Sequence, residues 1–476
     1  MPPGDDAPLA RGNALTATPP VDLEETYRPR TALLVAAVAL GGILAPLNST
    51  MLAVALPDIR AQFHVGHGGV GWLVSSYLIA MAVTQPVAGR IGDQIGRARV
   101  FRFSLLAFLV LSLAAAAAPT FPLLVALRTG QAVCGAALIP SGLAMMRQVV
   151  PPERLGRVNG MNGGLLSLAA AIGPLLGALV LGVGTWRWLF IINVPVIAAA
   201  LLMQARLAYR EELTSQRFVI DWLGVALLAG LFVSMTLTFN LARTPDLKFG
   251  LTLLGTIGLA GLGARQLFHS AVPVIEWRLF GNLSFTAATL DVLGSNFVMY
   301  TSLLSVPFFL QEVQHRSASA SGLALGAMSI AMALLAPLSG RLGDAYGRRL
   351  PAVLGGIATT AGAAIIFVGI SAGVSPWHLA GGLAVLGLGV GLGTGAATTA
   401  AIECSPRALS GAAAGANSMM RYVGSILGTG MLGAVLTTGG DLDGQVGMFR
   451  VVFGVLTVMA LGSMFAATRI HRFAEG

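Results

Sequence analysis

Charged residues are scarce in this chain of 476 residues, since Asp, Glu, Lys and Arg make up only 10% of it. A water-soluble domain carries about 25% charged residues, so this composition excludes an ordinary soluble fold. Cysteine is scarcer still, with only Cys134 and Cys404 in the whole chain. Two isolated cysteines exclude a disulfide framework and a cysteine-based metal site. We interpret both as packing residues.

Motifs for nucleotide and metal chemistry are also absent. The chain contains no P-loop, no Gly-x-Gly-x-x-Gly segment that opens a βαβ unit and no Cys/His spacing suited to a metal ion. We therefore expect no cofactor and no metal, and we predict that the chain is not an enzyme. The net charge of +9 does not indicate a nucleic-acid partner, because the basic residues are spread over short loops.

Apolar sequence, by contrast, is abundant: 55% of the residues are hydrophobic. They form continuous runs of about 20 residues, the length with which an α-helix crosses the hydrocarbon core of a bilayer. Continuous runs indicate helices, whereas a membrane barrel shows alternation. The fold class predicted is an all-α membrane protein with fourteen spans. They lie near residues 31–57, 69–91, 100–118, 121–146, 158–182, 186–207, 219–241, 249–267, 284–310, 320–343, 351–372, 377–402, 409–435 and 449–469.

Basic residues are distributed unevenly between the predicted loops. With a cytoplasmic N-terminus, 21 of the 29 lie on the cytoplasmic side, six lie outside, and Arg128 and Arg421 lie within spans. The positive-inside rule then places both termini in the cytoplasm and requires an even number of spans. Residues 1–30 have no apolar segment typical of a signal peptide, so we interpret them as a disordered cytoplasmic tail. We expect a multi-pass protein of the cell membrane.

One short segment of the chain occurs twice. Residues 89–97, Gly-Arg-Ile-Gly-Asp-Gln-Ile-Gly-Arg, return 251 positions later as residues 340–348, Gly-Arg-Leu-Gly-Asp-Ala-Tyr-Gly-Arg. A second match, at a displacement of 255, pairs Gly160, Asn162 and Gly173 with Gly415, Asn417 and Gly428. Two matches at nearly one displacement predict two pseudo-symmetric six-helix bundles around a central path. The predicted domains are a bundle at 31–207, two inserted transmembrane helices at 208–270 and a second bundle at 271–476.

Several segments resemble motifs of a known family. They are Leu47–Pro57 in span 1, Gly89–Arg99 between spans 2 and 3, Arg128–Gly135 in span 4, Gly164–Gly177 in span 5 and Trp186–Pro195 at the entry to span 6. Through them the chain resembles the major facilitator superfamily, and within it the fourteen-span drug:proton antiporter family. The resemblance covers nearly the whole chain after the tail. It implies proton-coupled transport by two bundles that rock against each other.

The repeated loop carries the residues that we predict to gate the path. They are Arg90, Asp93 and Arg97 in the first copy and Arg341, Asp344 and Arg348 in the second. Glycine permits a tight turn and a close approach of helices there. Asp93 can pair with a helix N-terminus and an arginine in one conformation and release them in another. The alternative is that the loop only anchors the cytoplasmic side through its positive charge.

Two arginines and one interrupted helix stand out within the spans. An arginine at depth costs several kcal/mol unless it meets water, an acid or carbonyl groups, so Arg128 is a functional candidate; the alternative is that it snorkels to the surface. The resemblance implies that Arg128 assists proton movement. Arg421 either binds an anionic group of the substrate or pairs with a carbonyl or an acid. Gly173, Pro174 and Gly177 give span 5 a flat face and a broken hydrogen-bond ladder, and the resemblance implies an antiporter helix there.

Acidic residues are the expected proton carriers, and the first-helix motif departs from the family by having Asn48 where an acid is usual. Asp291 is the acid that we place well inside a span, where a charge costs several kcal/mol. At 100° per residue it shares one polar stripe of span 9, and such a stripe faces protein or a wet cavity. The stripe consists of Ser284, Asp291, Ser295, Ser302 and Ser305. Asp291 is therefore the predicted proton carrier, unless it forms a structural salt bridge with Arg128 or Arg421.

The predicted substrate-binding residues are Asn48, Ser295, Tyr300 and Arg421. Acids at span ends, Glu312, Glu403, Asp58 and Asp221, are expected to be solvated. We expect a monomer that exports an amphipathic small molecule in exchange for protons and is surrounded by membrane lipids. The missing first-helix acid suits a neutral, zwitterionic or anionic cargo, so a lipid or metabolite transporter of the same fold stays open. A membrane sensor that no longer transports is a third possibility.

Overall fold

A computed structural model describes residues 23–206, 220–242, 246–270, 273–406, 409–436 and 442–471, apart from some side chains within these ranges. The secondary structure of the described residues is entirely helical, so the all-α prediction is confirmed for them. Most of the predicted tail, residues 1–22, lies outside the described residues. The first helix begins at Leu23, eight residues before the predicted start of span 1.

The principal helices follow the predicted spans along the chain. They are α1 (Leu23–Met51), α2 (His67–Ile95), α3 (Arg97–Ala116), α4 (Phe121–Val149), α5 (Pro152–Val183), α6 (Asn193–Ala205), α7 (Trp222–Leu241), α8 (Leu247–His269), α9 (Leu283–Phe308), α10 (Ala318–Tyr346), α11 (Arg349–Gly369), α12 (Pro376–Glu403), α13 (Ser410–Val435) and α14 (Leu442–Ala467). Shorter helical segments extend α1 through Leu52–Ala55 and Leu56–Phe63, precede α6 at Trp188–Ile191, precede α9 at Trp277–Gly281 and continue α9 as a π-helix at Phe309–Val313.

Twelve helices in the described part of the chain are long and apolar enough to cross a membrane. The helices α5 and α13 are not among these twelve, although each is longer than 25 residues and packs within the bundle. The chain is therefore a multi-pass membrane protein by length and composition of its helices. The finer prediction of fourteen spans stays a prediction.

The helix contacts repeat between the two parts of the chain. In the first part α1 packs on α5 and α6, and α4 packs on α2 and α3; in the second part α9 packs on α13 and α14, and α12 packs on α10 and α11. The two most extensive contacts between the parts are α2 with α13 and α5 with α10. Exchanging the two parts converts one of these contacts into the other. This arrangement is the one expected from an internal repeat. We call α1–α6 the first half and α9–α14 the second half.

Close packing inside each half depends on glycine at equivalent positions. A Cβ at Gly173 would collide with the hydroxyl of Thr50, and a Cβ at Gly428 would collide with the hydroxyl of Thr301. Gly428 follows Gly173 by 255 residues, and Thr301 follows Thr50 by 251. Each glycine thus lets a helix pass over a threonine of its neighbour, as small residues do at membrane helix interfaces.

The repeated loops also adopt the same turn. Gly96 and Gly347 both have positive φ angles, 105° and 85°, which side chains rarely tolerate. The arginine that follows each glycine folds back over an earlier glycine, Arg97 over Gly92 and Arg348 over Gly343. The glycines of the motif are therefore required by the turn and by the path of the arginine.

The helices α7 and α8 lie at the periphery. They pack on each other, and α7 also contacts α13 and α2. Buried residues on α7 are limited to Gly224, Phe232 and Thr236, and no described residue of α8 is buried. The end of α7 nevertheless reaches the boundary between the halves, where Asn240 lies against Gly68 of α2 and Gly433 of α13.

The packing predicts that Gly177→Ala destabilises the protein. A Cβ at Gly177 would lie 2.5 Å from the backbone carbonyl oxygen of Met51, and backbone cannot rotate away. Overpacking of this kind costs about 1–3 kcal/mol. Thermal unfolding in detergent should therefore begin at a lower temperature than in the wild type. The matched control is Gly182→Ala on the same helix, where nothing lies within 4 Å of the new Cβ. Equal stability of the two variants would contradict the packing described.

Candidate functional site

Hydrogen bonds join the two halves from the centre of the bundle to one of its ends. At the centre Ser49 of α1 shares a hydrogen bond of 2.8 Å with Tyr300 of α9. Ser75 of α2 and Thr429 of α13 share another, of 2.9 Å. Further along, the Gln311 side chain donates to the carbonyl oxygen of Val54 at 3.2 Å. We call the end towards which these bonds run the Glu312 end, and the opposite end the Arg348 end.

An ion pair closes the Glu312 end. The guanidinium of Arg60 lies 2.7 Å from one carboxylate oxygen of Glu312, and the imidazole of His67 lies 2.8 Å from the other. Arg60 and His67 belong to the first half, whereas Glu312 lies in the π-helix that continues α9. The His67 ring also packs edge-on against Phe308, with 4.9 Å between ring centroids. Glu312 is therefore not the solvated charge expected at a span end, because it is only 21% exposed and bonds across the boundary.

A closed ring of polar side chains lies inside the first half. Asn48 and Asn193 exchange amide hydrogen bonds of 2.7 and 3.0 Å, and Asn193 also reaches Ser112 at 3.5 Å. Gln131 donates to Ser112 at 2.7 Å. Arg128 completes the ring by donating to the Asn48 carbonyl oxygen at 3.1 Å and to Gln131 at 3.4 Å. All five residues are buried, so protein atoms supply the polar partners that a bilayer lacks.

Arg128 is the charged member of this ring. It is 1% exposed, which excludes snorkelling to the surface. Its guanidinium carbon lies 4.3 Å from the centroid of the Tyr77 ring, a cation–π distance. No carboxylate of the described residues lies within 4.0 Å of it, and its Nε atom has no hydrogen-bond partner. The charge is held by carbonyl, amide and aromatic groups alone.

A second arginine faces the same region from the other half. Arg421 of α13 is partly buried and donates to Thr398 at 3.4 Å, while its Nε atom has no partner. Tyr300 lies close enough to both Arg128 and Arg421 for their charges to act on its hydroxyl group. We define the central cluster as Ser49, Tyr77, Arg128, Tyr300 and Arg421. It combines two arginines and two tyrosines at the boundary between the halves.

Asp291 lies outside the central cluster, where α9 meets α14. Its carboxylate accepts a hydrogen bond of 2.6 Å from Ser463 of α14, and the second carboxylate oxygen is buried without a partner. Neither Arg128 nor Arg421 pairs with it, so the structural salt bridge considered as an alternative does not form in this structure. Nine residues separate Asp291 from Tyr300, which at 100° per residue places them on opposite faces of α9. Asp291 thus faces α14, and Ser295 is buried one turn beyond Asp291.

The predicted gating residues are only partly described. The side chains of Arg90 and Asp93 lie outside the described residues. Arg97 donates to the carbonyl oxygen of Ala144 at 3.5 Å, so it ties the loop to α4. Arg341 is exposed.

The second copy of the loop forms an ion-pair network. Arg348 binds Asp344 at 2.7 Å and Glu403 of α12 at 2.7 and 3.0 Å. These bonds, chiefly those with Glu403, raise the pKa of Arg348. Arg348 consequently stays charged, and the loop is held within its own half in this structure.

Sequence reasoning missed part of this site. Asn193 and Gln131 stood within recognised motifs, and Ser112 is a polar residue inside an apolar span, yet none was singled out. Polar residues in spans were the available signal, because such groups must find protein partners. The link between Arg60, His67 and Glu312 had no comparable signal, since residues at span ends are usually solvated.

Comparison with families of known proteins identifies related sequences. The chain matches the model described as Major Facilitator Superfamily over residues 38–294 and 288–472. It is 33% identical over 423 residues to the uncharacterized MFS-type transporter YvkA of Bacillus subtilis (strain 168), covering 89% of this chain and 93% of that protein. It is 30% identical over 423 residues to the tetracenomycin C resistance and export protein of Streptomyces glaucescens, covering 86% of this chain and 76% of that protein.

A solved structure with a similar fold is that of the D-xylose-proton symporter. It superimposes with a TM-score of 0.67 over 94% of this chain and 98% of that one. The sequence identity is 12%, so the likeness concerns the fold alone.

The geometry of the Glu312 end predicts that Glu312→Gln loosens the contact between the halves. The amide keeps the shape of the side chain but removes the charge that holds Arg60 and His67. A charge-assisted hydrogen bond contributes about 1.5–3 kcal/mol, so the open population should rise about tenfold or more. The measurement is the rate at which a water-soluble thiol reagent labels a Ser75→Cys variant, in a background with Cys134→Ser and Cys404→Ser.

The matched control for this measurement is Asp58→Asn, which neutralises an exposed acid on the same segment as Arg60. Labelling of the Glu312→Gln protein at the control rate would show that the ion pair does not hold the halves together.

Proposed function

This chain belongs to the Major Facilitator Superfamily, and on that premise we propose that it is a secondary active exporter, taking an amphipathic small molecule out of the cell in exchange for protons. The observation that carries the proposal is the central cluster. It sets two arginines and two tyrosines between two repeated helical halves, as a transporter with a central path requires. Relatives named as resistance and export proteins support the direction of transport.

We propose that transport proceeds by rocking of the halves. The halves are joined from the centre to the Glu312 end, and the positive-inside rule assigns that end to the outside. We infer that this state is closed on the outer side. In the opposite state the Arg60–Glu312 pair separates and the loops bearing Arg90, Asp93 and Arg97 and, in the second copy, Arg341, Asp344 and Arg348 close the cytoplasmic side. Both termini are cytoplasmic in this proposal, α5 and α13 count as spans, and α7 and α8 are the inserted pair within 208–270.

The helix α5, for which the resemblance implies the antiporter role, forms the contact that changes when the halves move against each other. Gly173 and Gly177 lie directly on α1, and Pro174 interrupts the hydrogen-bond ladder of α5 between them. The neighbouring residues Leu175 and Ala178 lie against Gly326 and Gly322 of α10 in the other half. One helix thus touches its own half on one face and the opposite half on the other. A change in the tilt of α5 alters both contacts together.

The chemistry of the central cluster indicates the class of substrate. Two guanidinium groups without a carboxylate partner among the described residues favour an anionic or strongly hydrogen-bond-accepting group, and each retains an unpartnered Nε donor. Tyr300 offers an aromatic face to a flat apolar body, whereas the ring of Tyr77 holds Arg128. Asn48 is committed to Asn193 and Arg128, so its contribution is to position Arg128. We infer an amphipathic anion or a neutral aromatic compound rich in oxygen as the cargo.

A lipid or metabolite carrier of the same fold is the second candidate. Two features favour it. The first-helix motif has Asn48 where an acid is usual, and the central cluster contains Arg128 and Arg421. A metabolite carrier would accept a small polar anion without an apolar body, whereas an exporter of amphipathic compounds would require one. The chemistry of the transported compound therefore distinguishes the two candidate functions.

We propose Asp291 as the group that takes up the transported proton. It is buried with a single hydroxyl partner, so its ionised form is poorly compensated in this structure. Because it faces α14 rather than the central cluster, its protonation would act through a shift of α9, the helix that carries Tyr300 on its opposite face. Arg128 would respond through its proximity to Tyr300.

The first prediction from this proposal concerns Arg421. Inverted vesicles with an acidic interior should accumulate amphipathic anionic dyes, and Arg421→Gln should lower the rate about tenfold or more, because a charge-assisted hydrogen bond is lost. Arg421 has one long hydrogen bond, so the variant should fold normally. The control is Arg316→Gln, an exposed arginine. Accumulation of cationic dyes alone, undiminished in Arg421→Gln, would overturn the assignment of the cargo.

The second prediction concerns coupling. Asp291→Asn should abolish accumulation driven by a pH gradient and spare exchange of substrate down its own gradient, because binding and rocking do not need the proton. Asp443→Asn, an exposed acid at the start of α14, serves as the control. Gradient-driven accumulation that persists in a well-folded Asp291→Asn protein would remove the coupling role, and the chain would then resemble a facilitator.

A further inference from the structure

A cavity of about 370 Å³ lies between the peripheral helices and the second half. Its walls are formed by α7 and α8 on one side and by α13 and the segment preceding α9 on the other. The lining is almost wholly apolar and includes Met235, Met419 and Met420, flexible side chains that adapt to an irregular guest. Gly263 and Ala264 of α8 leave the space open, since nothing lies within 4 Å of a Cβ at Gly263.

The cavity is distinct from the central cluster. The helix α13 separates the two, with Met419 and Met420 lining the cavity and Arg421 bonding to Thr398 of α12. On its other side the cavity is bounded by α8, which has no buried residue in the described part of the chain and so faces the bilayer. An apolar space beside the bilayer favours the entry of a lipid chain, because the chain supplies dispersion contacts that the lining otherwise lacks.

One end of the cavity is polar. Asp221 accepts hydrogen bonds of 2.9 Å from the Gly224 N–H and from the Gln266 side chain, both at one carboxylate oxygen. No basic group of the described residues lies within 4.0 Å of this carboxylate. Its second oxygen has no hydrogen-bond partner among the described residues and can accept from a donor that enters with a guest. A carboxylate in this position favours a positively charged hydrogen-bond donor.

Two arginines lie on the segments that carry Gln266 and Phe280, two residues of the cavity wall. Arg265 precedes Gln266 on α8 and is exposed. Arg278 lies next to the ring of Trp277, which packs on Phe268 of α8 with 4.9 Å between ring centroids. Neither arginine lines the cavity, but the segments that form its polar end carry one acid and two arginines. This combination is complementary to a head group that joins an ammonium to a phosphate.

We propose that this cavity binds phosphatidylethanolamine, with one acyl chain among the methionines, the ammonium on Asp221 and the phosphate near Arg265 and Arg278. Phosphatidylcholine has no N–H to donate to Asp221, and phosphatidylglycerol has no positive charge. The site uses no residue of the central cluster, so it holds whether or not the proposed transport function does. The bound lipid joins α7 and α8 to α13.

The proposed binding of the head group to Asp221 is tested by native mass spectrometry of the purified full chain with added dioleoyl lipids. Phosphatidylethanolamine should bind the wild type about tenfold more tightly than phosphatidylcholine or phosphatidylglycerol, and Asp221→Asn should lose this preference. The asparagine can still cap α7. The matched control is Asp246→Asn, which alters the capping acid of α8 away from the cavity and should keep the preference. Equal preference in wild type and Asp221→Asn would overturn the assignment.

The proposed binding of an acyl chain inside the cavity is tested by filling the cavity with a larger side chain. Gly263→Leu places a side chain inside it, whereas Gly261→Leu, two residues earlier on α8, adds the same side chain outside the lining. Retained phosphatidylethanolamine should fall about tenfold in Gly263→Leu and stay unchanged in Gly261→Leu. Equal retention by the two variants would show that lipid does not enter the cavity. Displacement of the lipid by an amphipathic cation at equal concentration would assign the cavity to that class of compound instead.

Discussion

The two halves of this protein touch through equivalent residues, and that contact constrains the rest of the structure. Ser49 and Tyr300 are 251 positions apart, the displacement of the repeated loop, and they share a hydrogen bond at the centre of the bundle. Residues related by a two-fold axis meet each other only near that axis. The two most extensive contacts between the halves, α2 with α13 and α5 with α10, then follow as a related pair on either side. The rocking of the halves proposed above, if it keeps this two-fold relation, changes both contacts together.

A second constraint is the lack of water within the bilayer, because every polar side chain must find its partner in the protein. The first half satisfies this need with the ring that runs from Asn48 through Asn193, Ser112 and Gln131 to Arg128. The second half satisfies it for Asp291 only in part, through Ser463. Tyr300 of the central cluster and Asp291, the group proposed to take up the proton, lie on opposite faces of α9. If the cargo is an anion, its export is also favoured by a membrane potential that is negative inside.

The sequence allowed the helices, the repeat and the glycine contacts to be anticipated, because each depends on local composition. A run of apolar residues predicts a helix wherever it lies, and the loop glycines Gly96 and Gly347 predict a turn that the structure contains. The contact partners of individual polar side chains were harder to predict. Periodicity places Asp291 and the serines on one face of α9, but it does not say whether α14 or the central path lies opposite. The bond between Arg60 and Glu312 joins residues 252 positions apart and depends on how the halves dock.

The central claim is that the halves must separate at the Glu312 end during each cycle. Ser75→Cys together with Thr429→Cys, in a background without Cys134 and Cys404, places two thiols where the wild type has a 2.9 Å hydrogen bond between the halves. The measurement is dye accumulation by inverted vesicles before and after oxidation, and again after reduction. Our account predicts that oxidation stops accumulation, that reduction restores it and that neither single-cysteine variant responds. Accumulation at the same rate with the disulfide formed would contradict alternating access by separation of the halves.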